Sequence, residues 1–430
     1  MHQPPPITAA KHNARAIVVA ALAHAAKRFP RLSRSNLDCS GLSQADFQLA
    51  QAIHRTTLQR WISLEYLLNR LLRRPIDQLE PILRAVLLAG AAQLLCLDRL
   101  PVYAVVDESV QLARTLLRRR AGSLTNAVLR RFAALVGPVM PEQAWEPASD
   151  RLPLGAGSVI LTEPLLPLPA DDLATHLVAA TSCPLALVSR WLQHYGPEQT
   201  VAICAHSVQN PPVFVFDGQR CELWREDQGR LVDYLAQNRS RRVQDPGSAM
   251  AVASTCGLSP GSILDFCAGY GTKTRQLATL HPGARIVATD VNPKRLARLR
   301  QVSDILENVS VVMPDQLPDD PVDLVLLDVP CSNTAVLSRR PEARYRFSPR
   351  ALTDLVDLQR QIMTEILPRL RPDGHCLYST CSLETEENQQ QRDWLTATSG
   401  ANIVSEQLSL PAGRGDGHRD GSYFFLAQVP

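Results

Sequence analysis

Apolar residues recur at every third or fourth position through most of residues 8–137, and this period predicts an all-helical domain. The expected helices cover 14–26, 45–74, 82–97 and 105–118, followed by another that begins at 124 after a Gly-Ser break. Arginines lie largely outside the apolar stripes. This distribution is typical of a helix bundle whose exterior is basic.

The period disappears over residues 138–180, which hold seven prolines and no sustained pattern. Proline-rich sequence of this kind predicts an extended linker between domains. Over 181–245, two helical stretches, 184–195 and 199–207, come before short strand-like runs such as Val213–Phe216. A small α+β subdomain is therefore expected there.

From residue 246 to 430, short apolar runs alternate with helical periods, as in an α/β domain built on a parallel sheet. The expected strands cover 262–266, 285–290, 308–312, 322–327, 375–379 and 423–427, and the expected helices cover 273–280, 351–370 and 383–396. The chain is thus predicted to be multidomain, with an all-α N-terminal bundle, a small α+β middle subdomain and a Rossmann-like α/β domain.

The overall composition is ordinary for a globular protein, with 45% hydrophobic and 20% charged residues. Ten cysteines without a CxxC pair or a nearby histidine cluster argue against a zinc site and against a disulfide framework. Residues 1–6 lack the basic start and apolar core of a signal peptide, and the apolar stretch 82–97 is too short and too polar to span a membrane. A cytoplasmic protein with no metal and no membrane partner is therefore expected.

Charge is distributed unevenly along the chain. Residues 1–138 contain 19 Lys+Arg and 8 Asp+Glu, a net +11, whereas the rest of the chain, with 26 and 34, is −8. A basic domain suits a nucleic-acid partner, because neutralised phosphates release counterions. The alternative is a well-solvated arginine-rich helical surface with no such partner.

A turn of small residues follows the first expected strand of the α/β domain. It comprises Cys267, Ala268, Gly269, Tyr270, Gly271, Thr272 and Lys273, and the next strand ends at Asp290. Glycines allow a nucleotide-like ligand to approach the backbone, and a strand-end acid accepts hydrogen bonds from ribose hydroxyls. The turn matches neither the GxGxxG of dinucleotide sites nor the GxxxxGK[ST] of phosphate loops. S-adenosylmethionine, which has no phosphate, fits best, and a purely structural glycine turn is the alternative.

Chemically active residues follow several of the expected strands. Asp290, Asp315, Asp328 and Cys381 come at four strand ends, and Cys331 lies shortly after Asp328. The carboxyl ends of parallel strands meet at one edge of a sheet, so two thiols and a carboxylate are expected to face one pocket. A thiolate is nucleophilic enough to attack an aromatic ring carbon. The alternative is that the aspartates are turn residues or helix caps and the cysteines inert core residues.

Three motifs resemble those of the Sun/Nop-type RNA cytosine-5 methyltransferase family. They are Asp265–Thr274, Asp328–Ser332, and Tyr378–Glu384 with Glu386–Asn388. Asn126–Arg131 and the helices before it resemble the NusB-like domain that precedes the catalytic domain in bacterial members acting on small-subunit ribosomal RNA. The similarity covers nearly the whole chain, and the two-cysteine pattern is specific.

The resemblance implies that the chain transfers a methyl group from S-adenosylmethionine to C5 of a cytosine in RNA. It implies that Cys381 is the nucleophile that adds to C6 and that Cys331 assists release of the methylated product. Asp328 would contact N3 and the exocyclic amine of the base and would also border the cofactor. The cofactor would lie against Cys267–Lys273, with Asp290 at the ribose.

The resemblance also implies that Asp315 lies near the adenine of the cofactor. The target base would be unpaired or flipped out of a duplex. The middle subdomain would contribute to RNA recognition, and Ser338–Phe347, which interleaves arginines with aromatic residues, could follow an RNA backbone unless it is a plain solvated loop. We expect the protein to act on RNA as a monomer.

The chain departs from the family pattern at two places. The glycine turn of the family usually reads Ala-Pro-Gly-Gly-Lys, whereas this chain has Gly269-Tyr270-Gly271-Thr272-Lys273. Asn333-Thr334-Ala335 stands where Gly-Thr-Gly is usual. Two other functions therefore stay open: an RNA-binding ribosome-assembly factor that has lost turnover, and a DNA cytosine methyltransferase, which also uses a Pro-Cys pair. The second thiol and the basic helical domain speak against the DNA enzyme.

Overall fold

The computed structural model describes residues 13–32, 37–141, 144–217, 220–238 and 240–430; residues 1–6 and the expected domain start at residue 8 lie outside these ranges. The helices are α1 (Ala14–Arg28), α2 (Gln44–Gln59), α3 (Trp61–Asn69), α4 (Pro81–Cys96), α5 (Val102–Leu116), α6 (Arg119–Leu135), α7 (Leu173–Thr181), α8 (Leu185–His206), α9 (Gln228–Ala236), α10 (Pro246–Ala253), α11 (Thr272–Leu280), α12 (Pro293–Ser303), α13 (Ala343–Arg346), α14 (Pro349–Ile366) and α15 (Gln389–Ser399). The strands are β1 (Val136–Met140), β2 (Arg151–Pro153), β3 (Ser158–Leu161), β4 (Phe214–Phe216), β5 (Cys221–Leu223), β6 (Arg242–Val243), β7 (Ser262–Asp265), β8 (Arg285–Ala288), β9 (Val309–Val311), β10 (Val322–Asp328), β11 (Leu370–Thr380), β12 (Asn402–Ser409) and β13 (Ser422–Gln428).

Helices α1 to α6 form the helical bundle that the apolar period predicts. Helix α4 is buried on nearly all sides and packs against α1, α2, α5 and α6. It begins at Pro81, whose fixed φ suits a first helical turn where no backbone donor is required. Asn13 and Ser43 cap α1 and α2 by accepting backbone N–H groups of the first turn. Neither α4 nor any other described helix is long and apolar enough to cross a membrane.

Two boundaries within the bundle differ from the prediction. The single helix expected over 45–74 is interrupted at Arg60, whose buried guanidinium donates to the backbone carbonyl of Ala180 at 3.3 Å. The break expected at Gly122 is wrong, because α6 runs through it. A Cβ at Gly122 would lie 2.5 Å from Cγ of Arg114, so this glycine permits close packing of α5 on α6.

The extended linker expected over 138–180 is wrong. Strands β1, β2 and β3 form an antiparallel sheet in the order β1-β3-β2, and α7 follows. Pro138 and Pro153 lie on the two edge strands, where a missing N–H does not interrupt the ladder. The pairing of β1 with β3 also shifts register between Val136 and Val139, which accommodates the proline. Proline content alone did not distinguish edge strands from a linker.

The chain divides into two compact units. The first holds residues up to Asn210 together with Leu337–Phe347, and the second holds the remainder from Pro211. The middle subdomain expected over 181–245 is therefore divided: α8 packs against α7 in the first unit, and β4, β5 and β6 form an antiparallel sheet in the second. The α/β domain expected over 246–430 is likewise not continuous in sequence.

The segment Leu337–Phe347 is part of the interior of the first unit. Arg344 is fully buried. Its guanidinium donates to four backbone carbonyls, with N···O distances of 3.2, 2.8 and 2.9 Å to Gln59, Thr181 and Ser207 and of 3.5 Å to Leu337 within the segment. Tyr345 is buried as well. The expectation that this segment follows an RNA backbone is therefore wrong for its central residues, because these buried donors already have protein acceptors.

The second unit is built on a seven-stranded sheet in the order β12-β13-β11-β10-β7-β8-β9. The five strands from β11 to β9 are parallel, β13 pairs antiparallel with β11, and β12 pairs antiparallel with β13. One apolar cluster packs α14 against one face of the sheet through Ile362, Met363 and Ile366. A second cluster packs α11 and α12 against the other face. The predicted Rossmann-like α/β fold is confirmed, and β12 is an edge strand that the apolar pattern did not reveal.

Candidate functional site

The turn after β7 is closed by two glycines with positive φ. Gly269 has a φ of 60° and Gly271 a φ of 81°, the latter at the N-terminus of α11. Both values lie in the left-handed region that glycine enters without strain. Thr272, which replaces a glycine of the family pattern, is the first residue of α11 and is not among the described residues with positive φ. The turn therefore closes despite its unusual sequence.

The outer side of this turn is open. A Cβ added to Gly269 would meet no atom within 4 Å, and the ring of Tyr270 is 53% exposed. Asp290, which is buried, accepts the backbone N–H of Gly269 at 3.0 Å and that of Asn292 at 2.8 Å. The acid at the end of β8 thus lies directly against the glycine turn, as the sequence predicts. Asp315 is exposed on a short turn after β9. Within the described ranges of the chain, no hydrogen bond joins it to the glycine turn.

Asp265 at the end of β7 is a further acid beside the turn. It is fully buried, and burial raises the pKa of its carboxyl to about 7. Its Oδ2 accepts the hydroxyl of Thr274 at 2.6 Å, whereas its Oδ1 has no hydrogen-bond partner among the described residues. An unsatisfied buried acceptor beside an open glycine turn fits a ligand that carries hydroxyl and amino donors, which S-adenosylmethionine does. The residues present therefore fit this cofactor.

Not every polar residue of the turn is suited to chemistry. The Cys267 side chain is half-buried, and burial raises the pKa of its thiol far above the ordinary value. Such a thiol stays protonated and unreactive near neutral pH. Cys267, with Ala268, is therefore suited to lining the turn.

The structure brings the two cysteines of the sequence motifs together. Cys331 follows β10, Cys381 follows β11, and these strands are parallel neighbours. The Sγ atoms of Cys331 and Cys381 are 3.2 Å apart, and the backbone N–H of Cys381 donates to Sγ of Cys331 at 3.3 Å. The contact with the Cys381 side chain, together with burial, raises the pKa of the Cys331 thiol well above its ordinary value, and the backbone N–H of Cys381 opposes this effect. Cys331 therefore holds its proton more tightly than an ordinary cysteine thiol.

Asp328 and Lys273 connect the thiol pair to the glycine turn. Nζ of Lys273 lies 2.6 Å from Oδ1 of Asp328, and the Lys273 side chain is only 12% exposed. The same Oδ1 accepts the hydroxyl of Ser379 at 2.8 Å. The ammonium of Lys273 and the hydroxyl of Ser379, both at Oδ1, hold the carboxylate in place at the end of β10. In the part of the chain that the structure describes, no further hydrogen bond to this carboxylate is found, so Oδ2 can meet donors of a substrate.

Asn333, which replaces a glycine of the family pattern, contacts both cysteines. Its φ of 62° lies in the left-handed region, which asparagine tolerates better than most residues. Its Nδ2 donates to the carbonyl of Cys331 at 2.6 Å, and its Oδ1 accepts from Sγ of Cys381 at 3.4 Å. The asparagine keeps the backbone conformation of the loop and adds an acceptor for the Cys381 thiol.

Sequence reasoning missed the buried residues that hold the two cysteine loops. The helix expected over 383–396 begins only at Gln389, and the residues before it form turns. Glu387, which lies in the first turns of that expected helix, is instead completely buried among the cysteine loops. Ser332, Ser382 and Gln359 bond to its carboxylate. Acidic residues near a helix start are usually cap or dipole partners, so the local pattern gave no sign of this role.

The arrangement can support addition to an electron-poor ring. It offers two thiols in contact, a fixed carboxylate paired with a lysine, and an open turn for a nucleoside-like ligand. Addition of a thiolate to a ring carbon raises electron density elsewhere in the ring, and a nearby acid or cation stabilises the charge that develops. Cys331, Cys381, Asp328 and Lys273 form one group, and the glycine turn with Asp290 forms its neighbour along the sheet edge.

Two family models match the chain. One is described as 16S rRNA methyltransferase RsmB/F and matches residues 258–420. The other is the NusB family and matches residues 12–134. The first match includes the glycine turn and both cysteines, and the second includes most of the helical bundle.

Curated proteins resemble the chain over most of its length. Ribosomal RNA small subunit methyltransferase B of Xanthomonas campestris pv. campestris is 32% identical over 396 residues, which covers 86% of this chain and 84% of that protein. The protein of the same name from Yersinia pseudotuberculosis is 28% identical over 90% of this chain and 91% of its own. The crystal structure of PH0851 has a TM-score of 0.64 at 17% identity, covers 95% of this chain and 98% of that one, and supports the fold alone.

Proposed function

The chain belongs to the RsmB/F family of 16S rRNA methyltransferases, and on this basis we propose that it methylates C5 of a cytosine in small-subunit ribosomal RNA. S-adenosylmethionine is the methyl donor, and when bound it supplies an electrophilic methyl group. The residues that would hold it are Cys267–Lys273 along the turn and Asp290 at the ribose. Asp315 would lie near the adenine, and Asp328 would lie between the cofactor and the base. The open turn and the unsatisfied oxygen of Asp265 support this assignment.

The proposed reaction uses Cys381 as the nucleophile. Its thiolate forms a bond to C6 of the cytosine, and the electron pair of the C5–C6 double bond moves towards C5, which then accepts the methyl group. Asp328 contacts N3 and the exocyclic amine and stabilises the charge that develops on addition. Water, acting as the base, takes the C5 proton; the electron pair of that C–H bond restores the C5–C6 double bond, and the bond from C6 to sulfur breaks with its electron pair returning to Sγ of Cys381. Cys331 assists this release.

The single observation that carries the proposal is the 3.2 Å separation of the two sulfur atoms beside Asp328. Addition to C6 needs only one thiol. A second thiol in contact with the first therefore points to a separate step of the reaction, and we assign to it the release of the product. The raised pKa of Cys331 supports the same division, because a protonated thiol can donate its proton to Sγ of Cys381 as the bond from C6 to that sulfur breaks.

RNA is the proposed partner, and the protein acts as a monomer. The basic first 138 residues supply the electrostatic attraction to phosphates. The target cytosine is unpaired or flipped out, because neither face of a stacked base is accessible to a thiol. The alternative, an assembly factor that has lost turnover, rests on the altered glycine turn alone, and that turn closes and stays open to a ligand.

The test replaces each cysteine in turn and maps 5-methylcytidine by mass spectrometry in ribosomal RNA from complemented deletion cells. Cys381→Ala is expected to abolish the modification. Cys331→Ala is expected to accumulate a covalent protein–RNA adduct that survives denaturation, because addition proceeds and release does not. Modification that persists in Cys381→Ala would exclude the proposed nucleophile. Methylation at a cytosine position other than C5, or at another base, would refute the proposed reaction.

A further inference from the structure

The loops of Cys331 and Cys381 are joined by one buried carboxylate. Oε1 of Glu387 accepts the backbone N–H of Ser332 at 2.9 Å and Nε2 of Gln359 at 3.0 Å. Its Oε2 accepts the hydroxyls of Ser332 and Ser382, each at 2.5 Å. Ser332 directly follows Cys331, and Ser382 directly follows Cys381. The Glu387 side chain therefore bonds to the neighbours of both sulfur atoms, whose hydroxyls also lie 3.0 Å from each other.

We infer that Glu387 is a positioning residue that sets the distance between the two thiols of the proposed reaction. The inference rests on the proposed function for the roles of those thiols. Four hydrogen bonds converge on a carboxylate that is completely buried. Hydrogen bonds to an ionised acceptor are shorter and stronger than neutral ones. Burial raises the pKa of Glu387, and the four donors oppose that effect by favouring the charged form.

Surrounding residues fix the carboxylate in turn. Gln359 on α14 accepts the hydroxyl of Tyr378 through its Oε1 at 3.1 Å, which orients its amide so that Nε2 faces Glu387. The hydroxyl of Tyr378 also lies 2.8 Å from the backbone carbonyl of Glu387. Asn388 donates to the carbonyl of Ser382 at 2.9 Å. The bridge is therefore built from β11, α14 and both cysteine loops, and it can hold the loops in one arrangement.

The donor pattern determines which substitution is informative. Glu387→Gln keeps the size of the side chain, but its amide nitrogen cannot accept a hydrogen bond. The N–H groups of Ser332 and Gln359 can only donate, so the amide oxygen must face them, and the two serine hydroxyls then lose their shared charged acceptor. The bridge between the serines weakens while the space stays filled. The double variant Ser332→Ala/Ser382→Ala removes the same two bonds from the other side, together with the 3.0 Å contact between the two hydroxyls and the bond that Ser382 accepts from the N–H of Glu384.

The first readout is chemical and does not depend on RNA. Phenylarsine oxide binds tightly only where two thiols can chelate one arsenic atom. Cys183 and Cys204 also lie in contact, so Cys331→Ala sets the background from other thiols; above that background, we expect the wild-type protein to bind the arsenical and Glu387→Gln to bind at least tenfold more weakly. Alkylation of Cys381 by iodoacetamide, measured in a Cys331→Ala background, should change less than twofold. Arsenical binding of equal strength in Glu387→Gln and wild type would overturn the inference.

The second readout is kinetic. Glu387→Gln is expected to lower kcat at least tenfold per folded molecule and to leave KM for RNA within twofold. Adding it to Ser332→Ala/Ser382→Ala should cause no more than a further twofold loss, because all three residues act through one bridge. Fully additive losses would overturn the inference. Glu406→Gln is the matched control. Glu406 is a partly buried carboxylate that accepts from Tyr423 and Arg392 and is remote in sequence from both cysteine loops. The kcat of this variant should equal that of wild type.

The two proposals can fail separately. If the wild-type protein chelates the arsenical, Glu387→Gln does not, and no 5-methylcytidine is formed, then the positioning role stands and the proposed reaction is wrong. If 5-methylcytidine is formed and Glu387→Gln behaves as wild type in both readouts, the reaction stands and the positioning role is wrong. Thermal unfolding of each variant separates a loss of folded protein from a loss of activity.

Discussion

Gly271 occupies a position where both the backbone and the packing require glycine. Its φ is 81°, and a Cβ there would lie 2.8 Å from Cδ1 of Leu299 and 2.9 Å from Cγ2 of Val302 on α12. Gly269 provides a matched control two residues away. Its φ is 60°, but a Cβ there would meet nothing within 4 Å. Alanine at the two positions therefore differs only in the overlap with α12.

The magnitude follows from these two contributions. An L-residue in the left-handed region costs about 1–2 kcal/mol, and both variants bear this cost. Forcing a methyl group into a packed contact costs about a further 1–3 kcal/mol, and only Gly271→Ala bears it. Gly271→Ala should thus lower the free energy of unfolding by about 2–5 kcal/mol, and Gly269→Ala by about 1–2 kcal/mol. Because the usual family turn has alanine at the position of Gly269, the control should still bind the cofactor.

Urea unfolding of both variants and of wild type measures the difference, with circular dichroism as the probe and equal slopes as the check on a two-state transition. Calorimetric titration with S-adenosylmethionine tests whether the control keeps a working turn. Equal losses of stability in the two variants would refute the reasoning. Such a result would mean that α12 yields to the added methyl group at no cost and that only the backbone angle matters.

Three further predictions concern buried charged residues. Burial raises the pKa of Asp265 to about 7, so the folded state holds this proton more tightly than the unfolded chain does. The resulting stability is lost as pH rises from about 4 towards 7. Thermal unfolding should show Asp265→Asn to be more stable than wild type at pH 8 by roughly 2–4 kcal/mol, with little difference at pH 4. Asp290→Ala should weaken S-adenosylmethionine binding by roughly 10- to 150-fold in calorimetry, because it removes a charged hydrogen-bond acceptor. Circular dichroism should show that the variant is folded. Unchanged affinity would count against a ribose contact. Arg344→Lys should lower the free energy of unfolding by about 2–5 kcal/mol, since an ammonium cannot reach all the carbonyls that the guanidinium joins, and wild-type stability would show that those contacts contribute nothing.

The strand ends of the α/β domain could be predicted because buried parallel strands are continuous apolar runs and polar residues mark where they stop. Asp290, Asp328 and the two cysteines were identified in this way. Which strands lie side by side is a property of the whole sheet, so the 3.2 Å separation of the sulfur atoms was not available from the local pattern. The strand ends predicted that the two thiols face one pocket, and the family resemblance alone indicated their separate roles.

Other features could not be predicted, because the same local pattern has two physical outcomes. An acid before a helix can cap it or, as with Glu387, turn inward to meet donors from distant loops. An arginine among charged residues can be solvated or, as with Arg344, buried where carbonyls converge. Prolines can mark a linker or an edge strand, as Pro138 does. Each choice depends on partners that are distant in sequence.

The placement of Leu337–Phe347 in the first unit has a practical consequence for dissecting this molecule. A fragment cut at Pro211 would retain the thiols and the glycine turn, yet its Arg344 would lose the carbonyls of Gln59, Thr181 and Ser207. In the complementary fragment, those carbonyls would lack the guanidinium. Recombinant halves, or chimaeras that exchange the N-terminal part between relatives, should therefore be designed to move this eleven-residue loop together with the helices that surround it.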